Sequence, residues 1–462
     1  MQPVHDVPTI RTAEEALMAR MTAGALMQRA ATGLAVRTAR LMRAHYGGIS
    51  GLRLAVVAGS GNNGGDALFA ASQLARRGVA VDILPTSDTL HEAGLRAARR
   101  EGARVRAPRR ADVVLDAVVG IGGTGPLRDN AAAIRDTVEA ELTIAVDLPS
   151  GLQPDTGDVP GQVWRADHTV TFGTLKPGVV LRPDVCGQVH LVDIGLDATL
   201  PPATVHVVQR ADAAEYFPRP GFRDHKYTRG VVSIAAGSQK YPGAGQLCTA
   251  GARHADVGMV RSAVGGFPDV VVADGRTDAY VVGPGLADAG RLEQAVAQAL
   301  GSGRPVVLDA EALAHAAPGP VVITPHEGEF ARLGFELGSD RIAAVRAAAA
   351  QLQVVVLLKG AVTVVAEPGG QVFVNTHSDA SLSTAGSGDV LSGLLGGMLA
   401  RSFVGREPDL PGMARLAACA ALVHGQAGAL AAFPATSVDV AQKVAAAVAW
   451  AAEGASPTTI DQ

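Results

Sequence analysis

Apolar segments in this chain run, one after another, into a Gly- or Pro-rich turn and then into a helical stretch. No other sequence feature restricts the fold as much. LRLAVVAG (52–59) leads into the loop GSGNNGGD and then the helical ALFAASQLARRG. VAVDILP (79–85), ADVVLDAVVGIGGTGP (111–126), LTIAVDLPSG (142–151) and DHTVTFG (167–173) repeat the theme. Strands that alternate with helices pair in parallel, since each helix returns the chain to the same end of the sheet, so the expected fold class is α/β with helices on both faces. Residues 11–45 read as a helical lead-in, with Glu14 and Glu15 near its start.

The rhythm breaks at 199–228, where ATLPPATVHVV and YFPRPGFRDHKYTRG are Pro-rich and charged. It resumes with RGVVSIAAGS (229–238), AYVVGPG (279–285), PVVLDAEAL (305–313), VVITPHEGE (321–329) and VVVLLKG (354–360). A hairpin is expected from 362–366 and 371–374, turned at EPGG. Two Ala-rich helices, Gly386 to about Ala400 and Gly412 to about Ala432, follow it. At 462 residues the chain exceeds what one core usually serves. Two domains, 1–215 and 229–462, joined by a linker at 216–228, are therefore expected. No fixed-period repeat argues for a solenoid.

Hydrophobic residues at 48% and charged residues at 18% describe a well-buried globular chain, and 55 Gly provide for many tight ligand loops. The formal net charge of −4 gives no footprint for nucleic acid. Apolar runs stop well short of a membrane span. MQPVHDVPTI has neither the basic nor the apolar region of a signal peptide, so a cytoplasmic protein is expected. Cys186, Cys248 and Cys419 are odd in number and far apart, which suggests neither a disulfide framework nor a zinc site.

The strongest local motif is TAGSGD (384–389). Gly386 and Gly388 let backbone amides crowd together as a helix begins, and those amides with the helix dipole attract phosphate oxygens. Asp389 in the first turn would oppose a phosphate, so it points to acid–base work on a substrate hydroxyl. KGAVT (359–363) offers Lys359 and Thr363 to a nucleotide, although a lone lysine at a strand end can equally be solvated. Ala244 in YPGA leaves room at a helix start, and GPGL (283–286) ends a strand in the same manner. His326 and Glu329 in TPHEGEF follow a strand's C-terminal end, where α/β sheets bind ligands; taken singly, His326 also suits a structural role. In the N-terminal half, GSGNNGGD is neither GxGxxG nor a P-loop, but it feeds a helix N-terminus. Asn63, Asp116 and Ser150 offer only oxygen ligands, which suits a hard cation, although each Asp alone could be a cap.

Taken together and in order, these motifs resemble the bifunctional NAD(P)H-hydrate repair enzymes over nearly the whole chain. NNGGD, LDAVVGIGGTG and VDLPSG look like that family's epimerase. HKYTRGVVSIAAGS, YPGA, VVGPGL, TPHEGEF, KGAVT and AGSGDVLSG look like its ADP-dependent dehydratase. The resemblance implies a Rossmann-like three-layer epimerase domain followed by a ribokinase-like dehydratase domain. Asn62, Asn63, Gly64, Gly65 and Asp66, with Gly120, Ile121, Gly122, Gly123, Thr124, Gly125, Pro126 and Asp147, would hold the hydrated dinucleotide in the epimerase. Potassium would sit on Asn63, Asp116 and Ser150. In the dehydratase, Ala244, Gly285, His326 and Asp389 would contact the hydrate. Lys359, Gly360, Ala361, Val362, Thr363 and Gly388 would hold the adenine nucleotide, with Mg2+ as its candidate companion. Ser387 stands where many relatives have Thr, and Ala287 where Gly is usual; neither removes a motif.

The implied activity is metabolite repair. Hydrated NADH or NADPH would be epimerised between its R and S forms, and the S form returned to NAD(P)H at the expense of ADP or ATP, ADP giving AMP and phosphate. Asp147 and Asp389 are the expected catalytic groups, with Lys176 in TLKPG in support, and a homo-oligomer is expected. Two rival readings remain at this point. One is a ribokinase-like small-molecule kinase with an N-terminal nucleotide-sensing domain. The other makes the N-terminal domain a non-catalytic binding module.

Overall fold

In a computed structural model that describes residues 1–378 and 380–454, the chain divides into two compact units, Pro3–Ala203 and Thr204–Gln462, the latter with Met1–Gln2. Residues 455–462 of the expected C-terminal domain lie outside the described residues. The division falls between Ala203 and Thr204, not at 216–228, and residues 204–215 therefore belong to the second unit. The reason is hydrogen bonding. Val205–Val207 adds a parallel strand beside Val372–Asn375, and Asp212, in the helix Arg210–Ala214, binds the Met1 ammonium at 2.7 Å.

The first unit is built on seven strands. These are β1 (Arg53–Ala58), β2 (Ala80–Pro85), β3 (Arg104–Val105), β4 (Arg110–Ala117), β5 (Glu139–Val146), β6 (His168–Phe172) and β7 (Gln188–Val192). They pair in parallel in the order β3-β2-β1-β4-β5-β6-β7, the Rossmann-like order the resemblance implies. Leu54 to Ala58 are fully buried, because helices cover both faces and a parallel strand then needs no polar side. The order reverses between β1 and β4, and in open α/β sheets such a reversal opens a crevice at the strands' C-terminal ends. The expected lead-in helix is two helices, Val7–Met18 and Ala25–Tyr46, because Gly24 adopts φ 79° between them. Asp6 caps the first through the Thr9 amide at 3.0 Å.

The second unit contributes β8 (Val205–Val207), β9 (Val231–Ala235), β10 (Met259–Ser262), β11 (Ala279–Val282), β12 (Val306–Leu308), β13 (Val321–Ile323), β14 (Val355–Leu358), β15 (Thr363–Ala366) and β16 (Val372–Asn375). Their order is β10-β9-β11-β12-β13-β14-β15-β16-β8 in a ten-stranded sheet whose remaining strand begins at Gln2. Strands β9 to β14 pair in parallel, and β15 runs antiparallel to both neighbours, as the hairpin reading requires. The chain leaves β9 toward β10 on one side and returns to β11 on the other, so this sheet too has a switch point. The two expected Ala-rich helices are Ser387–Ser402 and Leu410–Leu430, and a third, Ser437–Glu453, follows them. No helix among the described residues is long and apolar enough to cross a membrane.

Ser387–Ser402 packs lengthwise on Pro242–Arg253 because glycine lets the two backbones touch. A side chain at Gly393 would run into the Cys248 carbonyl, and one at Gly251 into the Val390 carbonyl. Backbone cannot move aside as a side-chain tip can. Gly393→Val should therefore destabilise this unit by about 1–3 kcal/mol, the usual size of an overpacking penalty. Urea denaturation of the purified variant measures it.

Candidate active sites

At the β1/β4 switch point of the first unit lies a cavity of about 1580 Å³. Asn62, Asn63 and Asp66 line it from the first turns of the helix Asn62–Ala75, which begins inside the segment GSGNNGGD expected to be a loop, and the whole run Gly120 to Pro126 lines it from the loop after β4. Gly64 and Gly65 do not. They pack inward, where a side chain would meet the Gly59 carbonyl or the His91 ring, so they shape the loop without lining the cavity.

Asp147 follows β5 with φ 71°, a left-handed conformation that costs a non-glycine residue of order 1 kcal/mol or more. That turn aims its carboxylate at three donors. Oδ2 accepts from the Ile121 amide at 3.1 Å, and Oδ1 accepts from Thr171 Oγ1 at 3.2 Å and from Lys176 Nζ at 2.7 Å. Lys176 is only 2% exposed; it also donates to Thr171 Oγ1 and to the Phe172 carbonyl. Gly120 is required here, since a Cβ would come within 2.9 Å of Asp147 Oδ2 and 3.2 Å of the Asn63 amide group.

Two further carboxyls face this pair. Burial, then the charges of Asp147 and Glu14, push Asp66 well above the usual carboxylate range, and its buried Oδ1 has no hydrogen-bond partner. Glu14 is raised by burial and by Asp147, with Lys176 and Arg11 opposing. Asp66 is therefore biased toward its neutral form, while Asp147 is ion-paired with Lys176.

Asp116, at the end of β4, is fully buried, and burial pushes its carboxyl up to about 6 against hydrogen bonds that favour the charge. Its partners are the Ser150 amide at 2.8 Å, the Ser150 hydroxyl at 2.6 Å and the Val118 amide at 3.4 Å. A buried carboxylate whose hydrogen bonds come only from neutral donors lacks a countercharge. Ser150 and Asn63 both line the cavity, and their oxygens with those of Asp116 would make an all-oxygen donor set of the kind that suits a hard cation.

In the second unit the expected residues follow the C-terminal ends of β9, β11, β13 and β14. Ala244 begins Pro242–Arg253 and lies against Gly285, whose φ of 62° and lack of a side chain permit that contact. His326 caps Glu327–Arg332: its Nδ1 accepts from the Gly328 and Glu329 amides at 3.0 and 3.3 Å, and its Nε2 lies 3.5 Å from Glu329 Oε2, so the structural role weighed from the sequence falls on Nδ1. Within KGAVT, Gly360 and Ala361 are exposed, whereas Val362 and Thr363 are buried at the start of β15.

Lys359 does not reach away into solvent. Its Nζ is 2.8 Å from Asp309 Oδ1 and 3.8 Å from Glu329 Oε2, and a Cβ on Gly388 would lie 3.2 Å from it. Burial depresses its pKa, but the Asp309 and Glu329 carboxylates outweigh burial and hold it above the ordinary lysine value. Asp389 stands in the first turn of Ser387–Ser402, after Gly386 in the left-handed region at φ 91°. Burial first, and then the Asp309 charge, push its carboxyl up to about 7, against the pull of Lys359. A base so poised is half ionised near neutral pH, where general-base catalysis is most effective.

The sequence reading missed Asp309, Ser392 and Thr171, and it left Lys176 without a partner. A signal for Asp309 was present: the pentapeptide VVLDA occurs at 113–117 and again at 306–310, each time as a buried strand ending in Asp.

Most of the chain is matched by known proteins. The family described as NAD(P)H-hydrate dehydratase matches residues 232–448, and the YjeF-related protein N-terminus matches 23–178. The bifunctional NAD(P)H-hydrate repair enzyme of Mycobacterium leprae is 44% identical, over 94% of this chain and 94% of its own. That of Mycobacterium tuberculosis is 45% identical, over 88% and 91%. Among solved structures, the ADP/ATP-dependent NAD(P)H-hydrate dehydratase of Bacillus subtilis, co-crystallised with ATP/Mg2+, is 28% identical. It covers 52% of this chain and 96% of that one, with a TM-score of 0.47.

Removing one partner of a buried ion pair strands the other. Lys176→Met should therefore destabilise the first unit by about 3–5 kcal/mol, a loss that thermal or urea unfolding would read directly.

Proposed function

The chain belongs to the bifunctional NAD(P)H-hydrate repair enzymes, and from that premise we propose how its residues divide the work. Residues 3–203 carry epimerisation of the hydrated dinucleotide, and residues 204–454 carry its nucleotide-dependent dehydration. Asp389 is the observation on which the second assignment rests, as a carboxyl held near neutrality at a phosphate-suited helix start with a protonated lysine beside it. A kinase with a sensing domain would leave the Asp147–Lys176 cavity without work, and the matched relatives are bifunctional over both halves.

The hydrate carries a hydroxyl on the ring carbon beside nitrogen, and free hydroxide is a poor leaving group. Asp389 takes the hydroxyl proton as the oxygen attacks the terminal phosphoryl group of the nucleotide, so that ADP leaves as AMP. The amide of Gly388, with Lys359, stabilises the charge on the transferring group. The ring nitrogen's lone pair then expels phosphate, and loss of a proton from the adjacent carbon restores the double bond. Mg2+ arrives on the nucleotide's phosphates as part of the co-substrate. Ala244 and Gly285 leave space for the hydrate, His326 Nε2 donates to it, and the exposed Gly360–Ala361 backbone meets the nucleotide.

In the first unit, Asn62, Asn63, Asp66 and Gly120 to Pro126 surround the hydrate. Asp147 exchanges a proton with the hydroxyl-bearing region as the aminal carbon opens and recloses. Lys176 fixes the orientation of that carboxylate, and Asp66 supplies a neutral carboxyl opposite it. Asn63, Asp116 and Ser150 would hold potassium, which would supply the countercharge the buried Asp116 lacks.

Incubating the protein with each hydrate epimer, with ADP or ATP, and following recovery of reduced-nicotinamide absorbance tests both assignments. Asp389→Ala should lower dehydration by about 10²–10⁴-fold and leave epimerisation intact; near-normal recovery of absorbance would exclude Asp389 as the base. Because the ionised form is the active one, the wild-type dehydration rate should rise with pH through about 7 and then level. Asp147→Asn should abolish epimerisation alone, measured by whether the R epimer is still consumed. KCl should raise the thermal stability of the wild type relative to NaCl; Asp116→Asn should remove that difference.

A further inference from the structure

Asp309 belongs to none of the binding motifs, yet it joins two of them. It follows β12, is 2% exposed, and has its backbone fixed on both sides. Its amide donates to the Val282 carbonyl at 3.1 Å, its own carbonyl fills the space where Gly283 would carry a side chain, and the next residue, Ala310, takes φ 49°. The backbone is thus anchored, and the carboxylate is oriented by two hydrogen bonds of its own. Oδ1 accepts from Lys359 Nζ at 2.8 Å, and Oδ2 accepts from Ser392 Oγ at 2.7 Å. Ser392 is one turn beyond Gly388, and its hydroxyl also lies 3.0 Å from the Gly388 carbonyl. One carboxylate thus ties the end of β14 to the first turn of the helix that carries Asp389.

We propose that Asp309 is a positioning residue for dehydration, clamping the Lys359 ammonium over Gly388 and setting the charge that Asp389 faces. The inference rests on the reading of Asp389 as the base. Three other groups around Asp389 carry charge: Glu311 on the turn after β12, Glu329 on Glu327–Arg332, and Lys359 itself. Cys248 on Pro242–Arg253 and His424 on Leu410–Leu430 complete the surroundings. Both are neutral, because burial raises the thiol far above its usual value and lowers the imidazole to about 4. Asp309 and Lys359 act on Asp389 in opposite directions, one raising and the other lowering its affinity for a proton.

The test is the pH dependence of kcat for dehydration, at saturating hydrate and ADP, in the wild type, Asp309→Asn, Lys359→Met, Ser392→Ala and Asp389→Asn. Asp309→Asn should move the acid limb down by about one pH unit or more, since it removes a negative neighbour and leaves the lysine's charge unopposed. Its plateau should also fall, by ~10-fold or more, because the ammonium is no longer held in place. Lys359→Met should move the limb up, and Ser392→Ala, which removes a hydrogen bond but no charge, should leave it where it is. If Asp309→Asn lowers the plateau with the limb unmoved, Asp309 is structural and the proposal fails while the reading of Asp389 stands. If the wild-type limb persists in the residual activity of Asp389→Asn, the base is another group and both fall. Should Asp309→Asn not fold, with a buried ammonium left unpaired, the double variant Asp309→Asn/Lys359→Met replaces it. Its limb should lie below that of Lys359→Met, and coincidence of the two would show that Asp309 does not set the charge Asp389 faces and would overturn the proposal.

Discussion

A lysine taken out of water by an aspartate stands at the C-terminal edge of each sheet, Lys176 with Asp147 and Lys359 with Asp309. Stripping two ions of water costs several kcal/mol each, and their attraction recovers that cost only when the remaining donors and acceptors are also matched. In the first unit they are, since Lys176 spends its other protons on Thr171 and the Phe172 carbonyl. In the second, Asp309 spends its second oxygen on Ser392, and Lys359 has the Glu329 carboxylate at 3.8 Å. Such pairs add little net stability, but their members cannot leave without leaving a partner stranded. They fix geometry, and the loops that bind ligand are arranged around them.

What brings these charges together is the topology. Parallel strands deliver all their following loops to one edge, so residues far apart in sequence meet there: positions 147 and 176 in one unit, and 309, 359 and 392 in the other. The helices that begin at this edge present free amides and a positive dipole end, which suits phosphate. Glycine then decides how closely the layers approach. Gly120 admits the Asp147 carboxylate and the Asn63 amide to the same corner, and Gly251 and Gly393 let two helices run in contact so that Asp389 is partly shielded from water.

That topology also explains what the sequence disclosed and what it withheld. The strand–turn–helix rhythm is local, so the α/β class, the hairpin at 363–375 and nearly every ligand loop could be read from it. The clustering of Asn62, Asn63, Asp66 and Gly120–Pro126 was legible because each stands in a Gly-rich segment after a strand, although the first three belong to the helix Asn62–Ala75 and not to a loop. Gly64 and Gly65 look the same in sequence, but the helix turns them inward, away from the cavity. The partner of Lys176 was not legible, since no pattern along the chain reports a contact 29 residues away. The domain boundary was misplaced for a related reason. Pro-rich segments lie on both sides of Val205–Val207, and only the strand pairing with Val372–Val374 decides to which unit that segment belongs.

The two candidate catalytic carboxylates show how one device serves two tasks. Asp147 takes the lysine directly, so the positive charge orients it inside a cavity where Asp66, raised by burial and by Asp147 itself, is biased toward its neutral form. In the other unit the lysine is claimed by Asp309, and Asp389 feels that pair only as a partly cancelled field. Burial then dominates, and the carboxyl comes to rest at about 7. A group that must pass a proton back and forth benefits from an adjacent, oppositely protonated carboxyl. A group that must remove a proton from a weakly acidic alcohol benefits from higher basicity without loss of its ionised form near neutral pH. The difference between the two sites is therefore one of distance: whether the buried ammonium bonds the acting carboxylate or bonds the carboxylate beside it.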